Sequence, residues 1–582
     1  MLAYEKFGPG QACQRNAIAH ELGQPVEKAG GDVLVVVGTL GDSICYAGVS
    51  EKVDAIQTAL GDRITMSDMP NRLTAPVYTI GVSDGMLNGS SEMRFSLLGR
   101  EITADSVNLH LEANRAHGVI AVVACDKPPV GTLAAILEHN EASIIMSDGS
   151  IKPGIDPVTG EKIDLVSCFQ VAGDPDLAKQ RRLSEAACPG KGSCGGMYTY
   201  NTMQSFIATL GMEPVHMVAP ASEDPRRINE YPNELITHLQ TMIEQTIRPR
   251  DIVTPTSMRE AMIVAMAMGG STNVVLHAAE IARAAGFDFW EDALSQDEFN
   301  ALSRTIPVLV NARPFGKYSM VDIDEKGGIQ VILKELLTAG HIKGEGITCT
   351  GETLRAQIER LNPPAPDGNV IHGLDTPFKK TGGLRLLRGN LAPEGGAVIK
   401  LAGVEKGLED DKFTGKARVF NSEENLLTAL HDAPDTFEDK DMVVIRYEGP
   451  RGAPGMPEML DPTSRITKLC RTKGITIALM TDARFSGGSV GLVVGHVGPE
   501  AALGGPIALI EDGDTIEVNL TDDTLTCKEL ETPEIFAARQ AQWQQAAHAN
   551  GGEHPNVRPA AGRLIDRARR TARTALMGAG MA

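Results

Sequence analysis

Gly118-Val-Ile-Ala-Val-Val-Ala-Cys-Asp-Lys-Pro-Pro-Val-Gly131 is the stretch on which the reading of the whole chain turns. Its first six residues form a β-branched apolar run, the pattern of a buried strand. A strand of that kind ends at the crevice of a parallel α/β sheet, where ligands sit. At that end a thiol, a carboxylate and an amine stand in a row: Cys125, Asp126 and Lys127. Pro128 and Pro129 stop the strand and are expected to hold a turn. Three ligand types on one stiff turn fit a metal site. A buried cysteine, a capping aspartate and a solvated lysine fit this stretch equally well.

Upstream, Asp32–Val37 reads as a strand leading into a glycine turn that carries Cys45. Val49, Val53, Ile56 and Leu60 then repeat at helical spacing, so Cys45 lies between strand and helix. Pro76–Ile80 is a second short strand and places Asp84 at its end. Before Gly85 that aspartate is also an ordinary turn residue. Arg100–Val107 opens a helix that completes a strand–helix–strand unit ending at Cys125. Residues 1–30 are polar and give no assignment.

Downstream, Ala142–Met146 reads as a further strand. Ala187-Cys-Pro-Gly-Lys-Gly-Ser-Cys-Gly-Gly196 follows, then a helical run over Met197–Leu210. Its glycines let backbone amides approach a ligand beside a helix N-terminus. The spacing of Cys188 and Cys194 fits no zinc ribbon. Gly269-Gly-Ser-Thr-Asn273 opens the helix Val274–Ala285, either as an anion site or as a simple cap. No Walker lysine and no GxGxxG with a spaced acid is present, so a nucleotide site is unsupported.

Between Pro363 and Pro393 the texture becomes Pro- and Gly-rich, and the expected domains are 1–375 and 376–582. Beyond it, Gly396–Leu401, Ala417–Val419, Asp441–Tyr447, Gly474–Met480, Ile507–Ile510 and Thr515–Val518 read as short strands with few long helices between them. That pattern predicts a barrel-like β domain. The tail Arg563–Arg573 reads as a basic, solvated helix.

Composition narrows the class. At 582 residues and 42% hydrophobic, the chain can bury large cores in at least two domains. A net charge of -20 argues against nucleic acid or an anionic membrane as partner. Nine scattered cysteines without disulfide-type spacing suit a reducing compartment. No apolar run is long enough to cross a bilayer, and no basic-then-apolar signal opens the chain. A cytoplasmic location is expected.

Taken together, several blocks resemble one family. They are Cys125-Asp-Lys127, Gly192-Ser-Cys-Gly-Gly-Met-Tyr-Thr-Tyr-Asn-Thr-Met203, Gly269–Asn273, Tyr447-Glu-Gly-Pro450 with Gly455-Met-Pro-Glu458, and Thr481-Asp-Ala-Arg-Phe-Ser-Gly487. They resemble the iron–sulfur dehydratases, which include dihydroxy-acid, sugar-acid and phosphogluconate dehydratases. The resemblance runs from about Pro76 to about Ala538. Ser319–Gly328 and Arg388-Gly-Asn-Leu-Ala-Pro393 look most like the dihydroxy-acid branch. It implies an N-terminal α/β domain with parallel sheets and a C-terminal swivel-type β-barrel, with the site between them, in a homodimer or homotetramer.

The implied reaction removes water from a 2,3-dihydroxy carboxylic acid to give a 2-keto acid, as a hydro-lyase does. A proton alpha to a carboxylate is weakly acidic and hydroxide leaves poorly, so Lewis acids are needed. By resemblance, Cys45, Cys125 and Cys194 hold an iron–sulfur cluster, two-iron in preference to four-iron, with one iron left open. Asp84, Asp126, Glu458 and a carbamylated Lys127 would hold Mg²⁺, since carbamylation turns an amine that only donates into an oxygen ligand. Ser486 matches the family's base, and Glu448 and His496 assist binding. The implied substrates are of the 2,3-dihydroxyisovalerate type, from branched-chain amino-acid biosynthesis. A sugar acid (an aldonate) is the alternative, and a cluster-free anion-binding descendant a further one. Departures fall at Leu87-Asn-Gly-Ser-Ser-Glu-Met93, where the family has Gly-His-Glu-Gly-Met, and at Cys45, which lacks the usual Pro-Cys-Asn. The first seventy residues and the tail after Asn550 also depart from the family.

Overall fold

The structure is a computed structural model and describes residues 2–66, 71–171, 174, 176–401, 408–489, 491–560 and 562–581. The Gly118 stretch lies at the centre of a five-stranded sheet, ordered β2-β1-β4-β5 with β3 also paired to β1. The strands are β1 (Val33–Leu40), β2 (Arg72–Leu73), β3 (Val77–Ile80), β4 (Ala116–Val123) and β5 (Ala142–Ser147). All pairings are parallel. Val119 to Val123 are fully buried, as a parallel sheet covered on both faces requires. The register Val37↔Val77 and Val37↔Ala121 aligns the C-terminal ends of β1, β3 and β4, which deliver Cys45, Asp84 and Cys125 to one edge.

Several expected bounds shift. The helix before β4 begins at Arg94 and runs to Asn114. Pro128 and Pro129 do not hold a turn; they are the first residues of helix Pro128–His139. Proline suits those positions because its missing N–H would go unpaired there and its φ is already helical. Residues 1–30, left unassigned by composition, include helix Pro9–Glu21.

The C-terminal half closes into an eight-stranded barrel. In order around it run Lys412–Phe420, Asp441–Ile445, Ala478–Thr481, Val493–Gly495, Ala392–Lys400, Leu384–Gly389, Thr524–Cys527 and Thr515–Asn519. The first four are mutually parallel. Parallel neighbours need crossovers, so helices Glu423–Asp432 and Asp461–Lys473 lie between them, contrary to the expectation of few long helices. Ile507–Ile510 is not a strand; Pro506–Leu509 is a single 3₁₀ turn. The C-terminal helix Arg563–Thr571 is not merely solvated. It buries Ile565 and Ala568 against Leu98, and beyond it the Gly578 carbonyl accepts from Arg100 at 2.8 Å. Among the described residues no helix is long and apolar enough to cross a membrane.

Candidate active site

Each half contributes loops from the C-terminal ends of its parallel strands, and these meet. From the sheet come Asp84, at the start of the short helix after β3, and Cys125–Lys127 after β4. From the barrel come Glu458, after Asp441–Ile445, and Ser486, after Ala478–Thr481. Two glycines permit the meeting. A Cβ on Gly455 would stand 1.6 Å from the Arg94 carbonyl, and one on Gly487 2.9 Å from both Tyr198 Cα and Thr199 N. Gly455 also has φ +103°, which side chains disfavour.

Lys127 is the hub. Its Nζ donates to Glu458 Oε1 at 2.6 Å and to Asp84 Oδ2, and lies 3.8 Å from Asp126 Oδ2. Burial alone would lower the Lys127 pKa, but Asp84 and Glu458 outweigh it and hold the amine above the ordinary lysine value. Burial would raise Asp84; Lys127 and Arg484 win, and its carboxyl lies below the usual range. Asp126 is the carboxylate left over. Burial and neighbouring Asp84 push it well up, and its Oδ1 has no hydrogen-bond partner.

Glu458 Oε1 accepts from Arg484 at 2.6 Å and from Asn273 Nδ2 at 2.7 Å as well as from Lys127. Asn273 and Arg484 are both fully buried, and neither was picked out from sequence. Gly269–Asn273 carried a signal, but read as a site for an outside anion. Its amide binds the protein's own Glu458, and Thr272 caps the Phe485 carbonyl in the Ser486 loop at 3.3 Å. Arg484 stands in the Thr481–Gly487 block but received no role, because a buried cation looks the same in sequence as a solvated one.

Oxygens of Asp84, Asp126 and Glu458 all lie within 4.8 Å of one another. Asp126 Oδ1, Glu458 Oε2 and Asn273 Oδ1 are buried acceptors without partners. An oxygen-only donor set with unpaired acceptors fits a hard divalent cation. Beside it, Cys125 has φ +64° and its amide donates to Ser193 Oγ at 2.8 Å, tying it to the Cys194 loop. A hydrogen bond with Cys45, together with burial, holds the Cys125 thiol well above its ordinary value. Burial, with Asp126 and Cys125 nearby, does the same for Cys194. Such thiols ionise when a metal supplies the compensating charge, and the three suit an iron–sulfur group.

Ser486 is part-exposed and its Oγ accepts from Gly488 N at 3.4 Å. Lys400, also missed from sequence, is fully buried; its Nζ donates to the Gly487 carbonyl at 2.9 Å and sits 4.4 Å from the Phe315 ring centre. Burial, with Lys379 nearby, brings its pKa down to about 7. Glu448 lies apart from the three carboxylates, paired with Arg558 at 2.7 Å and raised to about 7 by burial. His496 is buried, with Nε2 unpartnered, and burial beside Arg484 lowers its pKa to about 3.

The arrangement is a two-part candidate site, a carboxylate–lysine cluster to which the α/β half and the barrel both contribute. Sequence models of the dihydroxy-acid/6-phosphogluconate dehydratase N-terminal and C-terminal regions match residues 52–357 and 369–579. A dihydroxy-acid dehydratase of Renibacterium salmoninarum is 43% identical over 450 residues, 76% of each chain. One from Nocardioides is 41% identical over 472 residues, 80% of this chain and 79% of its own. One from Thermosynechococcus vestitus is 42% identical over 476 residues, 81% of each. The chain belongs to the dihydroxy-acid/6-phosphogluconate dehydratase family and is a hydro-lyase.

Proposed function

We propose that the chain dehydrates 2,3-dihydroxy carboxylic acids to 2-keto acids, with 2,3-dihydroxyisovalerate-type acids of branched-chain amino-acid biosynthesis as its substrates. The observation that carries this is the buried oxygen cluster of Asp84, Asp126 and Glu458 around Lys127, with acceptors left unpaired, next to the Ser486 loop. Asp84, Asp126, Glu458 and carbamylated Lys127 would hold Mg²⁺, and Cys45, Cys125 and Cys194 an iron–sulfur cluster of two irons. When bound, these groups supply Lewis acidity at the substrate's carboxylate and hydroxyl oxygens.

The chain's own residues do the rest. Ser486 Oγ, acting as an alkoxide, takes the C2 proton, hydroxide leaves C3, and the resulting enol gains a proton at C3 and gives up its hydroxyl proton to become the 2-keto acid. Lys400 and Thr272 fix the carbonyls on either side of Ser486, which sets where its Oγ stands. The barrel loop at Gly487 is pressed on Tyr198 and Thr199, which ties the Ser486 loop to the α/β half. The working form is a homodimer or homotetramer in the cytoplasm.

One observation favours an aldonate as a second substrate class. Asn88 Oδ1, in the Leu87–Met93 segment that departs from the family pattern, is a buried acceptor without a partner. A further sugar hydroxyl would satisfy it. The test is kcat/KM for 2,3-dihydroxyisovalerate and for an aldonate on anaerobically prepared, metal-replete enzyme. A preference for the aldonate of more than about a hundredfold exceeds what one methylene explains and would overturn the branched-chain assignment.

A further inference from the structure

At the opposite end of the sheet from Asp84 and Cys125, two arginines share a cavity of about 570 Å³. Arg72 opens β2 and is 4% exposed; Arg15 lies on the buried face of helix Pro9–Glu21, between Ala12 and Ala19, and is 9% exposed. Among the described residues neither guanidinium has an ion-pair partner. Toward the described residues the Arg72 side chain donates only to the Leu73 carbonyl, at 3.3 Å, and its Nε is buried without an acceptor. Arg15 stacks on Phe7 at 3.8 Å, and the acid that acts on it, Asp32, makes its ion pair with Lys6 at 3.2 Å. Burial, with Arg15 beside it, brings the Arg72 pKa down to about 10. Two like charges, desolvated side by side in a chain of net charge -20, are a costly arrangement unless something negative joins them.

We propose that Arg15 and Arg72 form a binding site for a small organic dianion, a phosphate ester or a dicarboxylate. Guanidinium forks pair with such oxyanions through two parallel hydrogen bonds, and two neighbouring guanidiniums without a direct ion pair suit a ligand with two negative charges. The volume lies within the range of small-molecule sites, about 300–1,000 Å³. Gln14 and His110 add polar groups to the wall, and Ile18 and Val77 an apolar side for the ligand's carbon skeleton.

The site is separate from the catalytic one. Arg72 pairs with Val33 at the start of β1, whereas Ile80, just before Asp84, pairs with Leu40 at its end. At about 3.3 Å per residue the two ends are roughly 23 Å apart. The family match begins at residue 52, so Arg15 belongs to a part of the chain outside it. Val77, in the cavity wall, opens the strand Val77–Ile80 that precedes Asp84.

The test is thermal unfolding of the full-length holoenzyme titrated separately with inorganic phosphate and with succinate, against chloride at matched ionic strength. The proposal expects a saturable rise in Tm with one of them, at a Kd of about 1 mM or tighter. Phosphate would mark a phosphate ester and succinate a dicarboxylate. Arg15→Gln and Arg72→Gln should each abolish the rise, and Arg72→Gln should melt higher than wild type without anion, because a buried unpaired charge is gone. Arg15→Gln alone decides the matter if Arg72→Gln does not fold. No saturable rise with either anion, a rise matched by chloride, or one unchanged in Arg15→Gln overturns the proposal.

Discussion

Lys127 Nζ lies 2.6 Å from Glu458 Oε1 across 331 residues of sequence, and both side chains are buried. The pair joins the α/β half to the barrel at the point where the chemistry is placed. Removing Lys127 leaves the buried Asp84 carboxylate without its ion-pair partner, while Glu458 keeps Arg484, and breaking such a buried pair costs about 3–5 kcal/mol. Lys127→Met should therefore lower stability by that order in denaturant melts of the metal-free, uncarbamylated protein. Lys127→Arg keeps the charge but cannot be carbamylated into an oxygen ligand. It should remain folded and lose turnover, and an active Lys127→Arg enzyme would exclude the carbamate.

Ser486→Ala should reduce kcat by a factor on the order of a hundred or more with little change in KM, as for loss of an acid–base group. Exchange of the substrate C2 proton with solvent deuterium should fall in step. Exchange at the wild-type rate would remove Ser486 as base.

Changing Cys125 or Cys194 to Ser should remove bound iron and sulfide, assayed anaerobically, and changing Cys45 should do the same. The other six, Cys13, Cys168, Cys188, Cys349, Cys470 and Cys527, should each be replaceable by Ala with iron content retained. Full iron and sulfide in Cys194→Ser would show that the three cysteines are wrongly grouped.

Lys400 supplies a pH signature. The unfolded chain holds its proton up to 10.5, whereas in the fold burial lets it go near 7. Between those values the unfolded state binds more protons, so stability rises with pH. The destabilising contribution is complete below about 7 and eases toward 10.5, by at most about 1.4 kcal/mol per pH unit. Lys400→Met should thus compare best with wild type at low pH and lose ground as pH rises. Denaturant melts of both proteins across that range check it, and a pH-independent difference would refute the shift.

The parts of the site read from sequence are those with local signals. The β-branched run into Cys125–Lys127 announces a strand and the loop at its end, and Val49, Val53, Ile56 and Leu60 announce a helix that is indeed buried along that face. Glu458 and Ser486 came only from resemblance, because nothing local shows that a loop hundreds of residues away will close on Lys127. Ile507–Ile510 was misread because a four-residue apolar run has no period to separate strand from turn. Burial of a charge depends on what packs around it, so Arg484, Lys400, Arg15 and Arg72 could not be told from surface cations. The parallel barrel strands were half visible, and the crossover helices between them escaped notice because their polar outer faces read as loop.

The most direct test of the account is the reaction itself, run with 2,3-dihydroxyisovalerate on metal-replete wild type and on Glu458→Gln shown to be folded. Glu458 is the barrel's contribution to the cluster, held by Lys127, Arg484 and Asn273 at once. The account predicts 2-ketoisovalerate from the wild type and a loss of kcat/KM by at least about a hundredfold in the variant. Formation of the keto acid by Glu458→Gln at the wild-type rate, or no keto acid from the wild type, would contradict it.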